Sequence, residues 1–148
     1  MLTGRRIAFD FGQVRIGVAA SDRSGILASP LLTLDASDPD LALRISEIFV
    51  EVEPIYVFVG DPKHMSGDRG VKSEGALDFG RMLSTLAPCP VIMIDERLST
   101  VGAMQNMRTS GHNTKSARST IDEMAAVVIL ESAMEQERIT GKVQGTTL

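Results

Sequence analysis

The chain has 148 residues, of which 43% are hydrophobic and 23% are charged, and its formal net charge is −4. These values are typical of a soluble globular protein of one domain, and the net charge argues against a generic nucleic-acid binder. No apolar run approaches the roughly 18 residues that span a bilayer. The single cysteine, Cys89, is expected to be a small core residue rather than a reactive thiol. Without an export signal, it predicts a cytoplasmic protein with no membrane association.

The first twenty residues predict a β-hairpin, because two apolar runs, 7–11 and 16–20, flank a short polar turn. Asp10 interrupts the first run, where an ionised carboxylate needs a cation or several hydrogen-bond donors. A bound metal ion is one explanation. The other is that Asp10 accepts backbone N–H bonds from the turn, in which Gly12 would supply a positive φ. The segment alone leaves both interpretations open.

The rest of the chain alternates strands and helices. The predicted elements are a strand over 26–34, a helix over 39–53, a strand over 55–59, a helix over 73–86, a strand over 90–94 and a short helix between 99 and 111. The first three strands predict an antiparallel meander, and the later strand–helix units add parallel strands. We therefore expect an α/β fold with a five-stranded mixed sheet and helices on both faces.

The last helix is predicted to begin at the capping box of residues 120–123 and to end near Arg138. A polar, mobile segment over 109–118 would precede it. Residues 140–148 are expected to form a disordered tail, so the single domain would span 1–139. Asp122 shares the apolar face of this helix and should point toward the sheet; the face consists of Asp122, Ala125, Ala126, Ile129, Leu130 and Ala133. The alternative is a first-turn aspartate that complements the helix dipole.

Three acidic positions lie at the ends of predicted elements: Asp10, the pair Asp95-Glu96, and Asp122. Carboxylates that converge must be neutralised by protons or by metal. An oxygen-only ligand set suits Mg²⁺ or Mn²⁺, and the sequence has no Cys/His set for zinc. A carboxylate-held pair of such ions can stabilise the attacking and leaving oxygens of phosphodiester hydrolysis.

One segment carries basic residues and no acid. Residues 97–121 contain four basic residues and no acid, while residues 35–53 and 122–137 are strongly acidic. Such a strip suits a surface for a polyanion, although it can also be an ordinary solvated loop. The predicted nucleic-acid-binding residues are Arg15, Lys63, Arg69, Lys72, Arg97, Arg108, Lys115 and Arg118.

Four motifs in order resemble the YqgF/RuvX family, and the resemblance covers residues 5–138. They are Asp10-Phe11-Gly12 with Arg15-Ile16-Gly17-Val18-Ala19, Val59-Gly60-x-Pro62 with Ser66-Gly67, Asp95-Glu96-Arg97-Leu98-Ser99-Thr100, and Ile121-Asp122-x-x-Ala125-Ala126-x-x-Ile129-Leu130. The resemblance implies a ribonuclease H-like fold and a nuclease, described for the family as acting on pre-16S rRNA and earlier on Holliday junctions.

The resemblance also implies a catalytic triad of Asp10, Glu96 and Asp122, the same acids that the residues themselves suggested. Asp10 and Glu96 would bridge the metal ions, Asp122 would complete the ligand shell and Arg97 would face a phosphate. Two positions depart from the family. Val14 stands where a lysine or another polar residue is usual. Asp61 replaces a leucine, either as an extra metal ligand or, as we expect, as a solvent-facing residue.

The sequence is compatible with three functions. The first is a nuclease acting on structured RNA, with ribosomal particles as possible partners. The second is a junction-specific DNA endonuclease, which would need a symmetric dimer; for the RNA enzyme a monomer or weak homodimer suffices. The third is a nucleic-acid-binding module without catalysis, against which the three retained acids argue.

Overall fold

The computed structural model of the chain describes residues 1–62, 70–96 and 115–148, the last range with side chains from Ile121 onward. The elements are β1 (Arg6–Phe11), β2 (Arg15–Ser21), β3 (Ala28–Asp35), α1 (Leu41–Val52), β4 (Tyr56–Asp61), α2 (Val71–Leu86), β5 (Val91–Asp95), α3 (Lys115–Thr140) and β6 (Thr146–Thr147). The short helix predicted between 99 and 111 lies outside the described residues.

The strands form one mixed sheet in the order β3-β2-β1-β4-β5-β6. The first three strands pair antiparallel, as predicted for a meander, and β1, β4 and β5 pair parallel. Because parallel strands end at the same edge of a sheet, the carboxyl ends of β1, β4 and β5 lie side by side. The predicted mixed sheet is confirmed.

The sheet has six strands rather than the predicted five, because the expected disordered tail contributes the sixth. Thr146 pairs antiparallel with Met93 of β5, and the backbone N–H of Leu148 donates to the carbonyl of Val91 at 2.9 Å. The edge of β5 offers unpaired backbone groups, and β6 satisfies some of them. Backbone pairing of this kind needs no apolar pattern, so the hydropathy of 140–148 did not indicate it.

Helices cover both faces, as predicted. On one face Phe9 packs edge-on against Phe49 of α1 and Phe79 of α2, with ring centroids 6.1 and 5.6 Å apart. On the other face Ala8 and Phe58 pack against the apolar side of α3. Because side chains alternate along a strand, neighbouring residues of β1 serve the two cores in turn. In the described part of the chain, no helix is long and apolar enough to cross a bilayer.

The last helix begins at Lys115, so the predicted start at the capping box of residues 120–123 is wrong, and residues 115–118 are helical rather than a mobile segment. The residues before Thr120 include good helix formers, which let the helix extend past a local start signal. Asp122 therefore lies about two turns inside α3. At that depth it cannot be a first-turn residue that complements the helix dipole.

A buried ion pair fastens the far end of α3 to the start of β1. Arg6 and Glu137 form a two-pronged contact, Nε to Oε1 at 3.2 Å and Nη2 to Oε2 at 3.0 Å. Both side chains are buried, and the Arg6 guanidinium also donates to the carbonyls of Gly4 and Leu2. Satisfied donors and paired charge make this burial tolerable, and they fix the position of α3 along the sheet.

Candidate active site

The strand register places a glycine on each side of Asp10 in the sheet. In the β1–β2 register Asp10 lies opposite Gly17. In the β1–β4 register Phe9 lies opposite Val59, which brings Gly60 to the other side of Asp10. Paired residues share a face, so two glycines flank Asp10 on the face that α3 covers. On this face, therefore, no side chain of β2 or β4 stands directly beside Asp10, and other groups can approach it there.

Gly17 allows the backbone of α3 to lie directly on the sheet. A Cβ at Gly17 would stand 2.0 Å from the carbonyl oxygen of Asp122, far inside van der Waals contact. Glycine in a strand marks this kind of close approach. The absence of a side chain at Gly17 therefore sets how near Asp122 comes to Asp10.

Gly60 leaves space on the sheet for the side chain of Glu96. Glu96 follows β5 directly, and a Cβ at Gly60 would stand 2.2 Å from its Oε1 atom. The Glu96 carboxylate therefore occupies the space above Gly60, beside Asp10. The two glycines explain how three acids that are far apart in the sequence reach one place.

Asp10, Glu96 and Asp122 all line one cavity of about 270 Å³. We call it the carboxylate cavity, and its lining consists of Asp10, Phe11, Gly12, Gln13, Val14, Arg15, Pro62, Lys72, Gly75, Glu96 and Asp122. All three acids predicted to form the catalytic set line it. Asp122 is only 9% exposed, as expected for a residue on the inner face of α3.

A cation of the chain itself enters the carboxylate cavity. Arg15, the first residue of β2, forms an ion pair with Asp122, with Nε 2.9 Å from Oδ2. Both side chains are partly buried. Residues two apart in a strand face the same side of the sheet, so Arg15 points to the same face as Gly17. α3 lies over Gly17, and this brings the carboxylate of Asp122 within reach of Arg15. Asp122 is thereby neutralised from within the protein.

The ligand types in the carboxylate cavity fit a hard divalent cation. Among the described residues that line it are three carboxylates and no histidine or cysteine, which is the oxygen-only set that Mg²⁺ and Mn²⁺ prefer. Over residues 1–62, 70–96 and 121–148, no three acidic, histidine or cysteine side chains are already spaced to hold one ion. The carboxylates therefore share a cavity but would have to adjust within it to ligate a metal.

Asp61 is buried, so the expectation that it faces solvent is wrong. It is 2% exposed and accepts a hydrogen bond from the Ser73 hydroxyl of α2. β4 continues through Asp61, and alternation turns its side chain to the face opposite that of Gly60. Asp61 therefore joins β4 to α2, away from the space that Glu96 occupies.

The predicted nucleic-acid-binding residues are only partly described. Arg15 and Lys72 line the carboxylate cavity, and the exposed Val14 lies at its rim. Lys115 and Arg118 lie in the first turns of α3, where side chains are outside the described part of the chain. Lys63, Arg69, Arg97 and Arg108 also lie outside it, so the basic strip stays a prediction.

Cys89 has the character of a packing residue. It is half-buried against the core between the sheet and the helices α1 and α2. Burial raises the pKa of its thiol to about 11, so the thiol stays protonated at neutral pH.

Sequence reasoning identified the acids but not the features that bring them together. The sequence motifs contain Gly17 and Gly60 but gave no reason for them. A glycine inside an apolar strand pattern is the signal that could have indicated close packing at these positions. The Arg15–Asp122 pair joins residues 107 positions apart, a contact that no local pattern indicates.

Comparison with known proteins shows which family the chain is similar to. The sequence profile of the family described as "RuvX: Holliday junction resolvase" matches residues 4–136. A Streptomyces avermitilis protein named "Putative pre-16S rRNA nuclease" is 44% identical over 147 residues, which are 98% of this chain and 94% of that protein. A protein of the same name from Cutibacterium acnes is 41% identical over 139 residues, 93% of this chain and 86% of that protein.

Among solved structures, the fold resembles Thermus thermophilus RuvC in complex with a Holliday junction substrate. The TM-score is 0.61, with 14% identity and coverage of 98% of this chain and 99% of that one. A second structure of that RuvC gives 0.58 with 15% identity, covering 97% of this chain and 99% of the other. At this identity the likeness concerns the fold, and it agrees with the ribonuclease H-like architecture implied by the motifs.

Proposed function

Because the chain belongs to the RuvX family, we propose that it is a divalent-metal-dependent nuclease that hydrolyses phosphodiester bonds of structured RNA in the maturation of pre-16S rRNA. The observation that carries the proposal is the convergence of Asp10, Glu96 and Asp122 on one cavity between two glycines. The names of the relatives from Streptomyces and Cutibacterium support RNA as the substrate.

The three carboxylates would hold the metal. Asp10 near the end of β1 and Glu96 just after β5 lie on either side of β4 and would share the metal, and Asp122 would complete the ligand set from α3. When bound, Mg²⁺ or Mn²⁺ would supply charge stabilisation to the attacking and leaving oxygens of the phosphodiester. A carboxylate oxygen of the site that does not ligate the metal would orient the attacking water and accept a proton from it.

Positive charge at the cavity would bind the substrate backbone. Lys72 and Arg15 line the carboxylate cavity, and phosphate contacts of such residues position a nucleic acid without reading its sequence. The basic strip from Arg97 to Arg118 would extend this surface. Replacing Arg108, Lys115 and Arg118 together by glutamine should weaken binding to all substrates and flatten its salt dependence, because each lost phosphate contact releases fewer counterions. An unchanged salt slope would place the binding surface elsewhere.

A second candidate is resolution of four-way DNA junctions, which the family description and the RuvC-like fold favour. Paired cleavage of a junction requires two active sites related by symmetry. An enzyme that trims an RNA precursor needs one. The oligomeric state during cleavage therefore separates the two candidates.

The test compares both substrates under the same conditions. The purified protein is incubated with Mn²⁺ or Mg²⁺ and either a 16S rRNA precursor or a four-way DNA junction. We expect metal-dependent cleavage of the RNA, lost in the variant Asp10→Asn and kept in the control Asp40→Asn, which makes the same change at an exposed position before α1. Cleavage of the junction alone would favour the second candidate, and near-wild-type turnover by Asp10→Asn would contradict the metal mechanism.

A further inference from the structure

Arg15 lines the carboxylate cavity and also forms an ion pair with one of its three acids. Its Nε lies 2.9 Å from Oδ2 of Asp122. The contact is made through one guanidinium nitrogen, and the Arg15 side chain is 30% exposed. A long side chain that is partly in solvent can leave such a partner without disturbing the core.

The three carboxylates need neutralising charge even before a metal binds. Three acids that converge on one cavity repel each other, and repulsion of this kind is relieved by protons or by positive charge. Arg15 supplies this positive charge at Asp122, which is the most buried of the three acids. The chain therefore carries its own counter-ion for the site.

That counter-ion and a divalent ion would compete for the same carboxylate. Over the described residues, no three ligating side chains are already spaced for one ion, whereas Asp122 already has a cation. A divalent ion within ligating distance of Asp122 would stand a few ångströms from the guanidinium, and like charges at that separation repel strongly. Occupation of the site by metal thus favours release of Arg15.

We propose that Arg15 is an exchangeable counter-ion: it neutralises Asp122 before metal binds, and on release it becomes a phosphate-binding residue at the cavity. The inference rests on the proposed metal-dependent nuclease function and adds a coupling to it. Displaced from Asp122, the guanidinium remains tethered to β2 at the rim of the cavity, where it offers donors to a phosphate in a geometry that matches that anion. Metal loading would thereby prepare the substrate site.

The proposal predicts that removing Arg15 strengthens metal binding. An adjacent opposite charge lowers the affinity of a carboxylate for a proton by about tenfold or more, and a divalent cation is subject to the same competition. Arg15→Gln should therefore bind Mn²⁺ about tenfold more tightly than the wild type. Arg15→Lys keeps the charge and should remain within about threefold of the wild type. A residue that merely orients Asp122 would give the opposite sign, because losing a support of a ligand weakens metal affinity about 10- to 100-fold.

The experiment measures Mn²⁺ affinity in the absence of nucleic acid, by electron paramagnetic resonance of the free ion, for wild type, Arg15→Gln and Arg15→Lys. Arg44→Gln is the matched control, because it removes the same charge from an exposed ion pair with Asp38. Substrate binding in saturating Mn²⁺ is the second readout, and it should be weaker in Arg15→Gln. Weaker or unchanged Mn²⁺ affinity in Arg15→Gln would overturn the exchange while leaving the nuclease proposal intact. Absence of Mn²⁺ binding in all variants would overturn both.

Discussion

Replacing Gly17 by alanine tests whether the close approach of α3 to the sheet positions the active site. The added Cβ would lie 2.0 Å from the carbonyl oxygen of Asp122 and 2.4 Å from its carbonyl carbon. Both atoms belong to the backbone of a helix, so no side-chain rotation can relieve the contact. The helix must move away from β2.

The size of that movement follows from the distance. Real Cβ atoms essentially never approach other heavy atoms within 3.0 Å, so α3 must retreat by about 1 Å near Asp122. A misplacement of about 1 Å at a catalytic group lowers the rate roughly 100-fold, which corresponds to about 2.7 kcal/mol. Overpacking of this kind also destabilises a fold by about 1–3 kcal/mol.

The assay is metal-dependent cleavage of the rRNA precursor, with kcat/KM measured beside a urea unfolding curve. Gly141→Ala is the control: its φ of 75° disfavours alanine, but a Cβ there meets nothing within 4 Å. That variant should lose about 1–2 kcal/mol of stability and keep wild-type cleavage. A folded Gly17→Ala protein with wild-type kcat/KM would refute the argument that this contact places Asp122.

Three further predictions concern the rest of the fold. Glu137→Gln leaves Arg6 buried without its carboxylate and should lower the free energy of unfolding by about 3–5 kcal/mol in urea, whereas the exposed Glu135→Gln should change it by less than about 0.5. Ser73→Ala removes the hydrogen bond donated to buried Asp61 and should cost about 1–3 kcal/mol in the same assay; no measurable loss would contradict that link. Cys89, with a thiol pKa of about 11 against 9.0, should react with iodoacetamide at pH 8 about 100-fold more slowly in the native protein than in urea, and equal rates would contradict its burial.

The features that sequence reasoning could predict were those written in local periodicity. Alternating and helical patterns identified the meander, the parallel strands and the inward face of Asp122. The helix start was wrong although the face was right, because the face depends on spacing along α3 and the start depends on whether the preceding residues also become helical.

The features that could not be predicted depend on contacts between distant residues. β6 forms by backbone pairing with β5, which leaves no hydropathy signal. The burial of Asp61 depends on α2 lying over the end of β4, and Arg15 meets Asp122 only once α3 lies on β2. In each case the residue type was visible in the sequence and its partner was not.

The central claim is that Asp10, Glu96 and Asp122 form one metal-binding nuclease centre. A crystal structure of the protein grown with Mn²⁺, with the ion located by its anomalous signal, tests it most directly. We expect Mn²⁺ in the carboxylate cavity with oxygens of Asp10, Glu96 and Asp122 as its protein ligands. Mn²⁺ bound elsewhere, or a cavity whose three carboxylates hold no ion at saturating Mn²⁺, would contradict it.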